Sequence, residues 1–150
     1  MILAGTVLGT FSAHEGESGY PRPTREVLRF REGYGIEEDK FAGGKPHKQV
    51  LIVGTKPYEM AREIGVEMKP GSLGENLLLD FDPHEFAAGT VFAIGDAKIE
   101  VVESCTLCNH LSVFDKRLPR LIRDRRGLYC RILSDGEVRK GMKVAWLGRA

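Results

Sequence analysis

Short apolar segments separated by glycine-containing turns constrain the fold of this chain more than any other feature. Eighteen of the 150 residues are glycine, and they stand between runs of apolar residues. Short apolar runs bounded by turn residues are typical of β-strands. Eight segments fit the pattern: Ile2–Thr10, Glu26–Arg31, Lys48–Val53, Glu75–Leu79, Thr90–Ile94, Lys98–Glu103, Leu128–Leu133 and Lys143–Leu147. A strand-rich fold is therefore predicted.

The turns between these segments indicate how the strands connect. Gly95 and Asp96 form a tight-hairpin signal between two of the strands, and Ser134–Glu137 marks another turn that opens the closing strands. The strands do not alternate regularly with helices, which argues against a doubly wound parallel sheet. We predict a mainly β fold, an antiparallel or mixed β-barrel with a few short helices at its periphery.

Helical signals occur in two places. Pro57 suits the first turn of a helix over Tyr58–Ile64, and Gly65 is expected to end it. Farther on, apolar residues recur at helical spacing and imply one buried face. They are Leu111, Phe114, Leu118, Leu121 and Ile122. Pro119 falls inside this pattern and predicts a kink or two short helices. Residues 13–25, with two glycines and two prolines, are predicted to form a long loop of the kind that often carries function.

Composition excludes several classes of protein. Lys and Arg number 22 against 21 Asp and Glu, and a formal charge of +1 argues against nonspecific nucleic-acid binding. No apolar run approaches the ~20 residues of a membrane helix, and the first residues lack the pattern of a signal peptide. Three cysteines do not suggest a secreted disulfide framework. We expect one cytoplasmic domain over residues 1–150, with neither nucleic acid nor membrane as partner.

Basic residues concentrate in residues 115–131, where seven of them stand against Asp115 and Asp124. The seven are Lys116, Arg117, Arg120, Arg123, Arg125, Arg126 and Arg131. One interpretation is a solvated helix face. The other is an anion site for a phosphate or a polyanionic cofactor beside the nearby thiols.

Cys105 and Cys108 lie where an alternating apolar run ends and a helical pattern begins. A thiol at such a junction can be exposed and have a lowered pKa. The spacing alone leaves four interpretations: a redox dithiol, a structural zinc site, a single working thiolate, or two idle cysteines. The βαβ context of a redox dithiol and the second ligand pair of a zinc site are both missing. A single thiolate needs only positive charge nearby, which the basic segment supplies. Cys130 lies among alternating strand residues and is expected in the core.

Two polar segments at strand entrances are further candidates. Gly71–Leu77 is a turn leading into a strand, where Glu75 and Asn76 place polar side chains and a glycine lets the backbone approach a ligand. Turn chemistry alone also explains these glycines. His47 lies in the polar loop before another strand, where a histidine is more often hydrogen-bonded than a ligand.

Taken together, these segments resemble a known family. The matching segments are residues 35–51, 71–77, 92–101 and 126–141, together with Cys108. The chain is similar to the MOSC domain, named for the C-terminal domain of molybdenum cofactor sulfurase, and to its stand-alone bacterial members. The similarity spans about residues 2–147. Gly-Glu-Asn at 74–76 and the later cysteine are its specific part.

The resemblance implies a β-barrel whose cysteine, matched to Cys108, is a molybdenum ligand or a persulfide carrier. Family members bind the molybdenum–pterin cofactor (molybdopterin) or are proposed to carry sulfur from pyridoxal-phosphate-dependent cysteine desulfurases. Some are similar to reductases of N-hydroxylated compounds. In this chain such a reductase would need a separate electron-donor protein. The residues expected to contact the cofactor are Gly74, Glu75, Asn76, Lys40, His47, Arg123 and Arg126.

Three alternatives remain open at this stage. The chain is either an enzyme or a sulfur-relay or interaction protein without turnover of its own. Cys105 could also resolve a persulfide formed on Cys108. A third possibility is thiol–disulfide exchange by Cys105 and Cys108. Loss of either cysteine abolishes activity in that case, whereas a metal site on Cys108 tolerates loss of Cys105.

Overall fold

The computed structural model describes residues 2–106 and 109–149. These residues contain ten β-strands and two short α-helices. The strands are β1 (Ile2–Thr10), β2 (Leu28–Arg31), β3 (Gly35–Ile36), β4 (Val50–Gly54), β5 (Leu77–Leu79), β6 (Thr90–Ile94), β7 (Ala97–Ser104), β8 (Leu128–Ser134), β9 (Gly136–Val138) and β10 (Lys143–Arg149). The helices are α1 (Lys56–Glu63) and α2 (Leu118–Leu121). Four 3₁₀ turns cover Pro46–Lys48, Pro83–Glu85, Asn109–Val113 and Arg123–Arg125.

Seven of the strands close into a barrel in the order β1-β10-β6-β7-β8-β4-β5. Neighbours run antiparallel except β4 and β5, and β5 pairs with β1 to complete the ring. The prediction of a mainly β, mixed barrel is confirmed, and so is the hairpin between β6 and β7. Closure leaves no free edge among these seven strands.

The three remaining strands form a small separate sheet in the order β3-β2-β9. The sequence did not indicate β3 or β9. Residues 134–137 were predicted as a turn, but Gly136–Val138 pairs with β2, with Val138 opposite Leu28 and Gly136 opposite Phe30. Strands of two or three residues carry too little local pattern to be recognised, because only their distant partners define them.

Two apolar clusters lie on opposite faces of the barrel wall. Ile52 packs inside the barrel, whereas Leu51 and Val53, its neighbours in β4, pack outside against the helices. Successive residues of a strand face opposite sides, so a strand covered on both faces is apolar throughout, as β4 is. Cys130 is fully buried inside the barrel, as predicted, and burial raises the pKa of its thiol.

The helical segments belong to the outer cluster. Pro57 lies in the first turn of α1 and Gly65 follows its end with a φ of 83°, as predicted. The interruption predicted around Pro119 is also found, but the proline opens α2 rather than kinking it. A proline in the first turn removes an N–H that has no partner within the helix. The face predicted to be buried is buried, with Leu111, Leu118 and Ile122 fully enclosed.

The predicted loop over residues 13–25 contains no helix and no strand of the barrel. It lies against the turn before β5, because the Arg22 N–H donates to the Gly71 carbonyl at 3.0 Å. A Cβ on Gly71 would stand 2.8 Å from the Arg22 carbonyl oxygen, so only glycine permits this approach. None of the helices in residues 2–106 and 109–149 has the length and apolar character needed to cross a membrane.

Candidate functional site

A cleft of about 560 Å³ opens on the outer side of the barrel, and basic side chains dominate its charge. Five basic residues line it against one acidic residue, Asp39. The five are Arg22, Lys40, Lys45, Lys48 and Arg126. The Asp39 carboxylate accepts hydrogen bonds from the Ser12 hydroxyl at 2.6 Å and from the Phe41 N–H at 3.0 Å. This basic cleft therefore attracts anions.

A second hollow, of about 670 Å³, shares the wall formed by Ser12 and Asp39. Its charged lining consists of Arg25 and Arg29 against Glu26, Glu37 and Glu38, together with His14. This mixed-charge hollow contains none of the residues that the sequence predicted as a site.

The basic segment 115–131 divides into surface ion pairs and one buried arginine. Arg117 pairs with Asp115 at 2.9 Å and lowers the pKa of that carboxyl to about 2. Arg123 is exposed, lies 3.9 Å from Asp124 and does not line the cleft. Arg126, only 2% exposed, forms part of the cleft wall. A guanidinium held in a wall of low dielectric acts more strongly on an anion than an exposed one.

Asn76 and Glu75 occupy opposite sides of the strand entrance. Asn76 lines the cleft, where its amide oxygen accepts from the Leu51 N–H at 2.9 Å and its amide nitrogen donates to the Phe11 carbonyl at 3.1 Å. Within residues 2–106 and 109–149 these are its side-chain hydrogen bonds, which leaves one amide hydrogen and one lone pair for a ligand. Glu75 is fully buried and does not line the cleft. Because adjacent residues in extended chain face opposite ways, the two side chains do not share one pocket.

The Glu75 carboxyl stabilises the turn behind the cleft. Its Oε2 accepts from the Tyr58 hydroxyl at 2.5 Å, and its Oε1 accepts from the Leu73 N–H at 3.2 Å. Burial raises the pKa of Glu75, and burial together with the charge of Glu75 raises the pKa of Tyr58. The side chain thus supports Leu73 and Gly74, which do line the cleft.

Aromatic rings form a second component of the cleft that the sequence did not reveal. The Tyr20 ring stacks on the His110 ring, with centroids 3.8 Å apart and planes 6° from parallel. Gly74, with a φ of 79°, makes room for this ring, because a Cβ there would lie 3.2 Å from Tyr20 Cε1. Cations lie over the other rings: Arg22 Cζ is 5.6 Å from the Phe41 centroid and Lys48 Nζ is 5.1 Å from the Tyr129 centroid.

His110 presents a neutral ring to the cleft. Its Nε2 lies 3.2 Å from the Ser72 carbonyl oxygen, which can only accept, so Nε2 carries the hydrogen. In the neutral ring Nδ1 is then an acceptor. Burial, followed by the positive charge of Arg126, lowers the pKa of His110, although the bond to Ser72 opposes that shift.

The structure describes only the first cysteine of the Cys-x-x-Cys pair. Cys108 lies outside the described residues. Cys105 follows β7 directly and is 2% exposed, so the expectation of an exposed thiol is wrong for this residue. Its side chain belongs to the outer apolar cluster with Leu111 and Ile122, and its N–H donates to the Gly127 carbonyl at 2.8 Å. In the part of the chain that the structure describes, no group of three or more His, Cys, Asp or Glu residues is placed to hold a metal.

Four of the predicted contact residues therefore meet in one cleft and three do not. Gly74, Asn76, Lys40 and Arg126 line it, and the Lys40 ammonium also donates to the Glu17 carbonyl at 2.8 Å. Glu75, His47 and Arg123 lie outside it, His47 being an exposed residue of the turn Pro46–Lys48. The roles of all seven toward a cofactor remain predictions.

Comparison with known proteins agrees with this architecture. Residues 39–145 match the MOSC domain family. Among solved structures, the YuaD protein from Bacillus subtilis is similar with a TM-score of 0.75 and 18% identity, over 93% of each chain. YiiM from Geobacillus stearothermophilus has a TM-score of 0.69 and 17% identity, over 97% of this chain and 74% of that one. YiiM from Escherichia coli has a TM-score of 0.68 and 18% identity, over 97% and 71%. At these identities the likeness is one of fold. No curated protein sequence matches the chain.

Proposed function

We propose that this chain, which belongs to the MOSC domain family, binds the molybdenum–pterin cofactor in the basic cleft, with Cys108 as its soft metal ligand. The observation that carries the proposal is the convergence of five basic side chains, against one acidic one, on a single cleft. The cofactor carries a phosphate, and a cleft of this charge favours it electrostatically.

The residues present fit such a cofactor in three respects. The volume of about 560 Å³ lies within the range of small-molecule sites. Aromatic faces, which suit a flat heterocycle, line the walls at Tyr20, His110 and Tyr129. The amides of Asn76 and Gln49 offer donors and acceptors for the edge of a pterin ring.

Each part of the cleft then has a distinct role. Arg126 offers a planar fork of donors to a phosphate, and Lys48 offers a point charge. His110 offers an acceptor at Nδ1 and a ring face. Cys108 contributes a thiolate, a ligand suited to molybdenum. When bound, the cofactor supplies a metal centre that exchanges two electrons. Reduction of N-hydroxylated compounds, with electrons from a separate donor protein, is the activity that we propose.

The two alternative roles of the thiols, persulfide transfer and thiol–disulfide exchange, require different cysteines to be accessible. A persulfide carrier also relies on Cys108 and needs access to a cysteine desulfurase. Thiol–disulfide exchange between Cys105 and Cys108 needs an accessible resolving thiol, and the burial of Cys105 weighs against it.

The proposal is tested by producing the protein in a host that makes the cofactor and measuring its molybdenum and pterin content. We expect both in the wild type, loss of both in Arg126→Met, and retention in Arg123→Met, a matched change at an exposed arginine three residues away. Cys108→Ser should lose molybdenum, whereas Cys105→Ala should keep it. Wild-type protein that has no affinity for the cofactor, together with Cys108→Ser behaving as wild type, contradicts the proposal.

Two assays then separate the enzyme from the sulfur carrier. Reduction of a hydroxylamine by the loaded protein, with an added electron donor, supports the enzyme. A persulfide on Cys108 after incubation with a cysteine desulfurase, detected by mass spectrometry and without any reductase activity, supports the carrier.

A further inference from the structure

A turn outside the cleft contacts both sequence neighbours of Arg126. The Asp82 carboxylate pairs with Arg125, its Oδ2 lying 2.8 Å from Arg125 Nε. The Gly127 N–H donates to His84 Nε2 at 2.9 Å. The two residues that flank the buried arginine are thus each held by a side chain of residues 82–84.

This turn is itself firmly seated. The Asp82 Oδ1 accepts from the His84 N–H at 2.9 Å, so one carboxylate organises the turn and binds Arg125. The end of β4 makes room for it at Gly54, where a Cβ would lie 2.5 Å from the Phe81 carbonyl oxygen and 3.0 Å from Pro83 Cδ. The turn therefore connects the end of β4, in the barrel wall, to the two residues that flank Arg126.

Gly127 is fixed through both of its backbone groups. Its N–H donates to His84, and its carbonyl accepts from the Cys105 N–H at 2.8 Å. Its φ is 130°, and a Cβ would lie 2.8 Å from Val53 Cγ2. The corner at Gly127 thus sets where Arg126 enters the cleft, and also where the chain leaves β7 toward Cys108.

We propose that Asp82 and His84 are positioning residues that hold Arg126 in the cleft wall, and that His84 does so only as a neutral hydrogen-bond acceptor. The inference rests on the proposed function, because it assigns Arg126 to anion binding. A protonated imidazole has two N–H donors and no acceptor, so protonation removes the partner of a part-buried Gly127 N–H. That loss shifts the corner and lowers the affinity of the cleft for anions.

The surroundings of His84 keep it neutral at physiological pH. Burial is the largest influence and lowers its pKa, and Arg125 acts in the same direction. Asp82 and Asp124 oppose the shift. Anion affinity should therefore fall as pH drops below about 6.5, the ordinary value for histidine. His110 gains charge over the same range and acts oppositely, so the comparison must be made between variants that all retain His110.

The test uses inorganic sulfate, whose charge is constant between about pH 5 and 8, the interval in which histidine titrates. Affinity is measured by calorimetry for wild type, His84→Gln, His84→Leu and Asp82→Asn, with Glu85→Gln as a matched control at an exposed residue of the same turn. At neutral pH we expect His84→Leu to lose roughly tenfold, Asp82→Asn roughly threefold, and the other two less than about twofold. Glutamine retains an acceptor that does not titrate, so the ratio of wild-type to His84→Gln affinity should fall about tenfold on acidification. A constant ratio overturns the inference.

A measurement without ligand separates this inference from the proposed function. Exchange of the Gly127 amide hydrogen, followed by NMR, should accelerate about tenfold in His84→Leu, and in wild type at acid pH, but stay slow in His84→Gln. Gly127 exchange that is insensitive to both substitution and pH overturns the inference even if sulfate binds. Failure of sulfate to bind any variant, with the exchange pattern as expected, removes the proposed anion site and leaves the contact of His84 with Gly127 established.

Discussion

The basic cleft and the mixed-charge hollow are similar in volume and share a wall, yet they differ in how their cationic side chains are paired. In the hollow, Arg25 pairs with Glu17, and Arg29 pairs with Glu137 at 3.3 Å. Among the described residues, Arg22 and Lys48 of the cleft form no ion pair and lie over aromatic rings instead. Volume therefore does not distinguish the two cavities, whereas the pairing of their charged side chains does.

Removing the buried cation of the cleft should give the largest effect. Arg126→Met is expected to weaken sulfate binding roughly thirtyfold, because charge-assisted hydrogen bonds to a desolvated anion are lost. Arg29→Met in the mixed-charge hollow should change affinity by less than about twofold, since that guanidinium is half exposed and already paired. Titration calorimetry of both variants measures the contrast. Equal losses would show that overall charge, rather than the cleft, controls binding.

Removing an aromatic ring should give an intermediate effect that depends on the ligand. Tyr20→Ala is expected to weaken binding of a pterin carboxylate about fivefold, because the face stacked on His110 is lost. The same change should leave sulfate affinity nearly unaltered. Tyr34→Ala in the hollow is the matched control, since Tyr34 is also a partly exposed ring. Quenching of pterin fluorescence gives both affinities, and an equal response of pterin and sulfate contradicts the assignment of Tyr20.

Two glutamates, the buried Glu75 near the cleft and the exposed Glu17, which pairs with Arg25 of the hollow, should give opposite pH dependences of the unfolding free energy. The pKa of Glu75 is raised by burial, so its contribution to folding is present below the ordinary value of 4.5 and is lost as pH rises through the folded-state pKa. The pKa of Glu17 is lowered, chiefly by the hydrogen bond from the His14 N–H, so its contribution is present above 4.5 and is lost as pH falls.

The free energy of unfolding is measured with urea at pH values on both sides of 4.5, the ordinary pKa of a glutamate. Wild type is compared with Glu75→Gln and with Glu17→Gln. In wild type, Glu75 should make the unfolding free energy fall as pH rises, and Glu75→Gln should abolish this fall. Glu17 should make the unfolding free energy rise slightly with pH, and Glu17→Gln should abolish this rise. We expect the effect of Glu17→Gln to be smaller than those of the other substitutions, because the Glu17 carboxylate is solvent-exposed. The same sign for both variants is incompatible with the arrangement of the two carboxyl groups.

Local sequence pattern was sufficient for the parts of the fold that depend on near neighbours. The strands β1 and β6 were predicted at their observed limits, and Pro57 and Gly65 correctly bounded α1. The strands β3 and β9 were missed because β2 alone defines them. Barrel closure through the parallel contact of β4 and β5 likewise depends on residues about 25 positions apart, such as Ile52 and Leu77.

Sequence indicated residues of the basic cleft only where a residue type alone suggested its chemistry. Arg126 and Asn76, predicted in this way, do line the basic cleft, but pattern did not separate the buried Arg126 from the exposed Arg123. Strand alternation was the available signal that Glu75 and Asn76 face opposite sides. Tyr20 and His110 meet across 90 positions of sequence, and nothing in either segment indicates the other.

Anomalous diffraction at the molybdenum edge would show directly whether the basic cleft holds the cofactor through Cys108. Crystals would be grown from protein purified with its cofactor, and the metal located without reference to the fold. We expect a molybdenum peak within the basic cleft, at bonding distance from the Cys108 sulfur, with the phosphate near Arg126. A peak in the mixed-charge hollow, or molybdenum bound away from Cys108, would contradict it.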